Sequence, residues 1–344
     1  MHNWKGRAAQ PEWMASPETY EVNRLPQHSM FMTYADETSC RAGYSLQSSR
    51  CLSLNGDWLF HMIEGTEDIP AFHDESYRAE GWNTITVPSC WQCEGYGAPH
   101  YTNTAYPWEG HEDVMPPRAP EHYNQVGCYI RWFTLSEKER DGVTLLSFQG
   151  VESAFYVYVN GRFVGYSEDS FTPAEFDISP FVRTGENRVS VEVYRFSSAS
   201  WLEAQDFWRL SGIFRDVFLR FAPSTYLHDI VADIHLADDF LTAWLTVHVE
   251  LGNPRPDAKL FWKLLSPVGD TVQEGGDVFI SCEVMSPLLW SDETPVLYTL
   301  VLGLKSAVGE EWTALRLGIR RLERRGGHNS AQRKADLFPG SEPA

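Results

Sequence analysis

Phe155-Tyr156-Val157-Tyr158-Val159-Asn160-Gly161-Arg162-Phe163-Val164-Gly165-Tyr166 places two apolar runs on either side of an Asn-Gly pair. In an extended chain, successive side chains point to opposite faces, and Asn-Gly readily adopts the left-handed backbone of a tight hairpin turn. The stretch therefore reads as two antiparallel strands joined by a two-residue turn. Working outward, Val189, Val191 and Val193 alternate with Arg188, Ser190 and Glu192, which predicts a strand with one buried and one wet face. From about residue 50 onward the period is two rather than 3.6, with turn residues at short intervals, so the expected class is all-β.

The pattern resets around Ala222-Pro223-Ser224-Thr225, where a domain boundary is expected. Beyond it Leu241, Ala243, Leu245, Val247, Val249 and Leu251 face one way, and Thr242, Thr246, His248 and Glu250 the other. Asn253-Pro254-Arg255-Pro256 turns the chain, 260–265 returns, and 296–304 and 312–317 supply the last strands. About a hundred residues of short strands predict an immunoglobulin-like sandwich. Between the first strands lies a long stretch, 87–125, rich in proline and aromatic residues. It is too long for a plain connection, so binding residues are expected near it.

Composition bounds the function. The chain has 344 residues, 43% hydrophobic and 14% aromatic, with a net charge of −19. That length predicts two compact modules with real cores, and the charge argues against nucleic acid and anionic membranes as partners. Residues 1–20 contain Lys5, Arg7 and Glu12 without an apolar core, and no apolar run approaches membrane-spanning length; a soluble cytoplasmic protein is expected. The cysteines at 40, 51, 90, 93, 128 and 282 are too scattered for a disulfide framework and are expected to be reduced. Cys90-Trp91-Gln92-Cys93 has redox or zinc half-site spacing, but no βαβ pattern surrounds it and no second pair completes a tetrahedral site, so a loop beside the sandwich is the favoured reading.

Gln205-Asp206-Phe207-Trp208-Arg209-Leu210-Ser211-Gly212-Ile213-Phe214-Arg215-Asp216-Val217 resembles the signature that closes the sugar-binding domain of family 2 glycoside hydrolases, in its β-galactosidase form. Asn23-Arg24-Leu25-Pro26, Ser53-Leu54-Asn55-Gly56-Asp57-Trp58, and Val87-Pro88-Ser89 leading to Tyr101-Thr102-Asn103 resemble other stretches of the same subgroup, in the same order. Leu289-Trp290-Ser291 with Glu293, Pro295, Leu297 and Tyr298 is similar to its immunoglobulin-like domain. The resemblance covers 13 to about 325. It implies an N-terminal arm over 1–49, a jelly-roll-like galactose-binding sandwich over 50–222, an immunoglobulin-like sandwich over 223–325 and an aberrant tail over 326–344. It also implies a homo-oligomer for the intact enzyme, with 4–20 at subunit contacts.

A carboxylate among Phe207, Trp208 and Trp201 is costly to bury unpaired, so Asp206 should face a cation, a sugar hydroxyl or an arginine. The resemblance assigns Asp206 to galactose and sodium. Asn103, whose amide both donates and accepts, is assigned by resemblance to the galactose hydroxyls. Arg209, with Trp208 beside Gly212 and Ile213, is read as a structural anchor. Glu168-Asp169 and Asp238-Asp239 are read as solvated or turn-forming acids, and His111-Glu112-Asp113 as solvent-facing.

No catalytic residue is expected in this chain. In the family a nucleophile and an acid/base, roughly 5 Å apart, sit with the magnesium ligands on a (β/α)8 barrel of about 250 residues, and fewer than 25 residues follow the second sandwich here. The expected function is a retaining β-galactosidase represented by an inactive N-terminal fragment that lacks its barrel partner. The alternatives are a carbohydrate-binding or complementing module, and a β-glucuronidase or β-mannosidase fragment, against which Asn23-Arg24-Leu25-Pro26 and Gln205-Asp206 argue. One set of codons for 328–344, read one base forward, spells Thr-Ile-Leu-Leu-Asn-Gly-Lys-Pro-Ile-Tyr-Phe-Arg-Gly-Val-Asn-Arg, similar to the family's entry into the barrel. A one-nucleotide frameshift near Gly326 or Gly327 is therefore expected.

Overall fold

The computed structural model describes residues 9–43, 46, 48–203, 206–325, 328–331 and 334–335. They form two compact units: the described residues up to Gln27 with Cys51–Phe221, and His28–Arg50 with the described residues from Ala222 on. The segment expected as a separate arm over 1–49 is thus divided between them, because it supplies pairing and covering groups to each.

In the first unit the Asn-Gly hairpin forms as expected. Ala154–Val159 pairs antiparallel with Arg162–Ser167, with Arg162 opposite Val159. Asn160 and Gly161 both have positive φ, 49° and 74°, the requirement of a primed two-residue turn. The Asn160 amide also donates to Phe181 O (3.0 Å) and Asn187 Oδ1 (2.8 Å), tying the turn to its neighbours. The hairpin belongs to a seven-stranded sheet ordered Glu21–Val22, Arg162–Ser167, Ala154–Val159, Gly185–Tyr194, Val126–Leu135, Gly56–Ile63 and Asn83–Val87. A second sheet is ordered Ala174–Asp177, Val143–Phe148, Val217–Ala222 and Cys51–Ser53. Trp58, Phe60, Tyr129, Phe148, Phe155, Phe176, Val189, Val191 and Val193 belong to the core cluster to which both sheets contribute, each full burial giving roughly 2 kcal/mol.

The outer face of the larger sheet departs from expectation. Arg188, Ser190 and Glu192 are 5%, 1% and 7% exposed rather than wet. A second layer seals them: Trp13 stacks on Tyr156, and Met14, Phe72, Tyr158, Tyr166 and Tyr194 join the same cluster. Arg188 donates there from its two terminal nitrogens to the carbonyls of Phe72 and Asp74. Long-range covering of this kind leaves no local periodic signal.

The quoted motifs are joints of this sandwich. Asn23, at φ 58°, donates to Val164 O (2.8 Å), and buried Arg24 donates to Ser167 Oγ (2.9 Å). Asn55 donates to Asp216 Oδ1 (2.8 Å) and accepts from the Val217 amide (2.9 Å), which fastens the start of one strand to the end of the signature. Gly212 has φ 120°, and a β-carbon there would lie 2.8 Å from Trp91 Cδ1. Only glycine fits that backbone and that gap.

The second unit is an immunoglobulin-like sandwich. One sheet comprises Tyr226–Leu236, Thr242–Gly252 and Phe279–Met285; the other comprises Thr271–Gly275, Lys259–Leu265, Tyr298–Ser306 and Gly309–Leu317. Ala243, Leu245, Val247 and Val249 are buried as expected, whereas Leu241 precedes the strand and is exposed. Residues from the N-terminal segment close its edge: Tyr34 and Trp312 exchange both backbone hydrogen bonds at 2.7 and 2.9 Å. Ser29 Oγ donates to Asp229 Oδ1 at 2.7 Å.

The tail read as aberrant from 326 on includes paired strands among its described residues. Leu322–Arg325 pairs antiparallel with His328–Ala331, which pairs in turn with Lys334–Ala335. Short connections suffice for hairpin pairing whatever the origin of the sequence. The Gly326-Gly327 pair, 332–333, all of 336–344 and the frameshift reading attached to them lie outside the described residues. Among the described residues there is no α/β barrel.

Candidate functional site

The signature segment builds a small ribbon. Phe207–Arg209 pairs antiparallel with His100–Thr102, in the register Phe207 to Thr102, Trp208 to Tyr101 and Arg209 to His100. The next positions beyond the last pair are Asp206 and Asn103, so the two expected sugar-contacting residues come to one end of one ribbon although 103 positions apart in sequence. Both are exposed. Gln205, the other half of the Gln-Asp pair, lies outside the described residues.

Asp206 adopts φ 41°, and Tyr101 Oη donates to Asp206 Oδ1 at 2.5 Å. That hydrogen bond raises the Tyr101 hydroxyl above the ordinary tyrosine range, since losing the proton would set two anions together. Tyr101 and Trp208 pack with ring centroids 5.5 Å apart, yet Tyr101 is 49% and Trp208 56% exposed. Phe171 and Phe207, also exposed, meet edge to face at 5.8 Å. An amide, a carboxylate and uncovered aromatic faces can grip hydroxyls and C–H surfaces together, the mixture a sugar presents.

The ribbon stands on buried polar groups. Arg209, 3% exposed, donates from Nη2 to Thr102 O at 3.3 Å, consistent with the anchoring role read from sequence. Glu152 lies opposite Gly212 in an adjoining pair of short strands. Burial pushes its carboxyl up to about 8, Glu203 adds to the rise, and Arg209 and Arg195 oppose it.

Sequence reasoning missed other groups. Glu168 is not solvated but buried, accepting from Tyr166 Oη (2.5 Å), Ser198 Oγ (3.0 Å) and the Ala199 amide (2.9 Å). Asp169 beside it is half-buried, and Asp239 accepts from the Leu241 amide (2.9 Å), the turn-forming role expected. Glu112 accepts from the backbone amides of Glu121, His122 and Tyr123 at 2.8 to 2.9 Å and so staples the proline-rich stretch across nine to eleven residues. His111, exposed as expected, stacks on Tyr123 at 4.0 Å. No short-range pattern announces a carboxylate that accepts from amides ten residues away.

Comparison with known proteins now defines the class. The sequence pattern of "Glycosyl hydrolases family 2, sugar binding domain" matches residues 51–223, and that of "Glycosyl hydrolases family 2" matches 225–320. The chain belongs to glycoside hydrolase family 2. It is 42% identical over 335 residues to a "Beta-galactosidase" of Priestia megaterium, covering 92% of this chain and 32% of that protein. It is 41% identical to a "Beta-galactosidase" of Halalkalibacterium halodurans, again covering 32% of that protein. The chain thus spans about a third of the length of these relatives. Among solved structures, an uncultured Clostridium sp. "Beta-glucuronidase" superposes with a TM-score of 0.66 at 20% identity, covering 84% of this chain and 48% of that one. A beta-glycosidase from Bacteroides vulgatus gives 0.64 at 23% identity, covering 82% and 35%. These two likenesses establish the shared fold.

Among the described residues no three His, Cys, Asp or Glu side chains gather where a metal ion could be held. Asp206 can offer a hard cation one carboxylate oxygen besides the one engaged by Tyr101, a small part of its roughly six oxygen ligands. The described residues therefore fit the family's sodium as a single ligand and not as a site. None of their helices is long and apolar enough to cross a membrane.

Proposed function

We propose that this chain is the substrate-side, N-terminal part of a retaining β-galactosidase, inactive alone, whose Asn103 and Asp206 contact the galactose hydroxyls. The observation that carries the reading is the ribbon end, where register brings the amide and the carboxylate together beside the exposed Tyr101 and Trp208 rings. The β-galactosidase relatives, with identities of 42% and 41%, support galactose over the glucuronic acid acted on by the more distant structural neighbours. An uncharged diol suits an amide paired with a carboxylate, whereas a uronate would meet the Asp206 charge. In this reading the nucleophile, the acid/base and the magnesium ligands come from a separate catalytic domain, and Asp206 gives sodium one oxygen.

The test is turnover of a chromogenic β-galactoside by the purified chain, from a host lacking its own enzyme, together with galactose binding by ligand-observed NMR. We expect no turnover and weak binding that Asn103→Ala or Asp206→Ala abolishes. Steady turnover would remove the fragment reading, and binding indifferent to both substitutions would remove the site. Binding without turnover even after mixing with a separately made catalytic domain would favour a free carbohydrate-binding module. The exposed aromatic ribbon on a complete sandwich is what keeps that second reading in play.

A further inference from the structure

The Cys90-Trp91-Gln92-Cys93 turn carries chemistry that sugar contact leaves unused. It is a single turn of 3-10 helix over Trp91–Glu94 with Cys90 as its N-cap, and the Cys93 amide donates to Cys90 O at 3.0 Å. A bond from i+3 to i brings the two α-carbons within about 7 Å, and disulfides span α-carbons about 4.4 to 6.8 Å apart. Cys90, as the N-cap, keeps extended backbone (φ −96°, ψ 141°), so it is this approach of the α-carbons, not stacking along a helix, that brings the two cysteines together.

The residues between the cysteines hold the turn in place. Trp91 is 1% exposed, its amide donates to Ser211 O (2.8 Å) and its indole N–H donates to Tyr129 Oη. Gln92 is buried and its Oε1 accepts from the Ser211 amide at 3.0 Å, while the Tyr96 amide closes the far side on Trp91 O at 2.9 Å. Cys90 is half-buried, Cys93 is exposed, and both are free thiols, whereas Cys40, Cys128 and Cys282 are buried.

We propose that Cys90 and Cys93 are a dithiol–disulfide modification site that closes by exchange with a low-molecular-weight disulfide such as oxidised glutathione. The Cys93 thiolate attacks one sulfur of the small disulfide, whose S–S bond breaks and releases one thiolate, leaving a mixed disulfide on Cys93. Cys90 then gives its proton to solvent and attacks the Cys93 sulfur, expelling the second small thiolate. Two protein thiols are oxidised by two electrons, one small disulfide is reduced, and the two protons end on the released thiols. The exposed Cys93 is the entry sulfur because the small disulfide can reach it. Burial, helped by neighbouring Cys93, pushes the Cys90 thiol up to about 11, so the resolving step quickens as pH rises. The reduced turn gains no stabilised thiolate at Cys90, and the closed form is correspondingly hard to reduce.

The test uses the whole chain, equilibrated with excess oxidised glutathione, acid-quenched, alkylated, digested without reductant and weighed. We expect the peptide carrying both cysteines to be two hydrogens lighter, its alkylation at least about tenfold reduced, and both changes reversed by dithiothreitol. In Cys90→Ser a glutathione adduct should persist on Cys93 for lack of a resolving thiol, with far-UV circular dichroism verifying the fold. Two stable adducts on the unmodified sequence, two freely alkylated thiols, or a link from either cysteine to a third one would each overturn the proposal, and the unsubstituted chain alone is enough to read them.

Discussion

Glu192→Gln tests whether the outer face of the seven-stranded sheet is sealed from water. Glu192 sits there with Tyr156, Tyr158, Tyr194 and Cys128 around it, and its one described hydrogen bond is a long one, 3.4 Å from Tyr194 Oη. Burial raises its carboxyl from 4.5 to about 7. In the folded chain the proton therefore stays on well above the pH at which the unfolded chain loses it. Below pH 4.5 both states are protonated and there is no penalty; stability then falls as pH rises toward 7, and above that the penalty is constant. At about 1.4 kcal/mol per pH unit the whole penalty is on the order of 3 kcal/mol. Glutamine keeps the shape and never ionises. Urea unfolding followed by tryptophan fluorescence should therefore show the variant gaining about 2 kcal/mol on the unsubstituted chain between about pH 5.5 and about pH 8.5. Glu152, also raised, titrates in both proteins and drops out of the difference. A difference independent of pH would mean that water reaches Glu192, and the account of the covering layer would fall.

Other substitutions probe the joints and the ribbon. Gly212→Ala forces a residue at φ 120° into contact with Trp91 and Tyr129, and should cost about 2 to 4 kcal/mol in the same unfolding assay; a cost under about 0.5 would contradict the crowding. Asn55→Ala strands the buried Val217 amide and frees Asp216, for an expected loss of about 2 kcal/mol. Trp208→Ala, at an exposed position, should leave the urea midpoint within about 0.5 kcal/mol while abolishing galactose binding by NMR, a combination that separates a contact surface from a structural one.

Most of the architecture was open to sequence because it rests on local devices. Asn160-Gly161 can take two positive φ values at little cost, and the alternation in 243–249 assigns each side chain to a face without reference to anything distant. The family motifs, including Asn55-Gly56 and Gly212, were visible for the same reason: each demands a particular residue at a fixed local position. The periodic pattern failed at Arg188, Ser190 and Glu192, where the face expected to be wet is covered by Trp13 and Met14, some 175 residues earlier in the chain. The reading of adjacent acids as solvated failed at Glu168, whose donors come from 166, 198 and 199, and the N-terminal segment that the resemblance implied as one arm is divided between two units.

The sequence by itself determined the class, two β-sandwiches of glycoside hydrolase family 2, and named Asn103 and Asp206 as the residues to examine. Only the tertiary structure decided that they share a ribbon end, that Tyr101 holds one oxygen of Asp206, and that Trp91 and Gln92 pin the two cysteines onto one turn. The physical reason is the range of the forces involved. Backbone preference and facial alternation act over a few residues and are written in the chain, whereas cover, burial and hydrogen bonding between distant strands exist only once the chain has closed on itself.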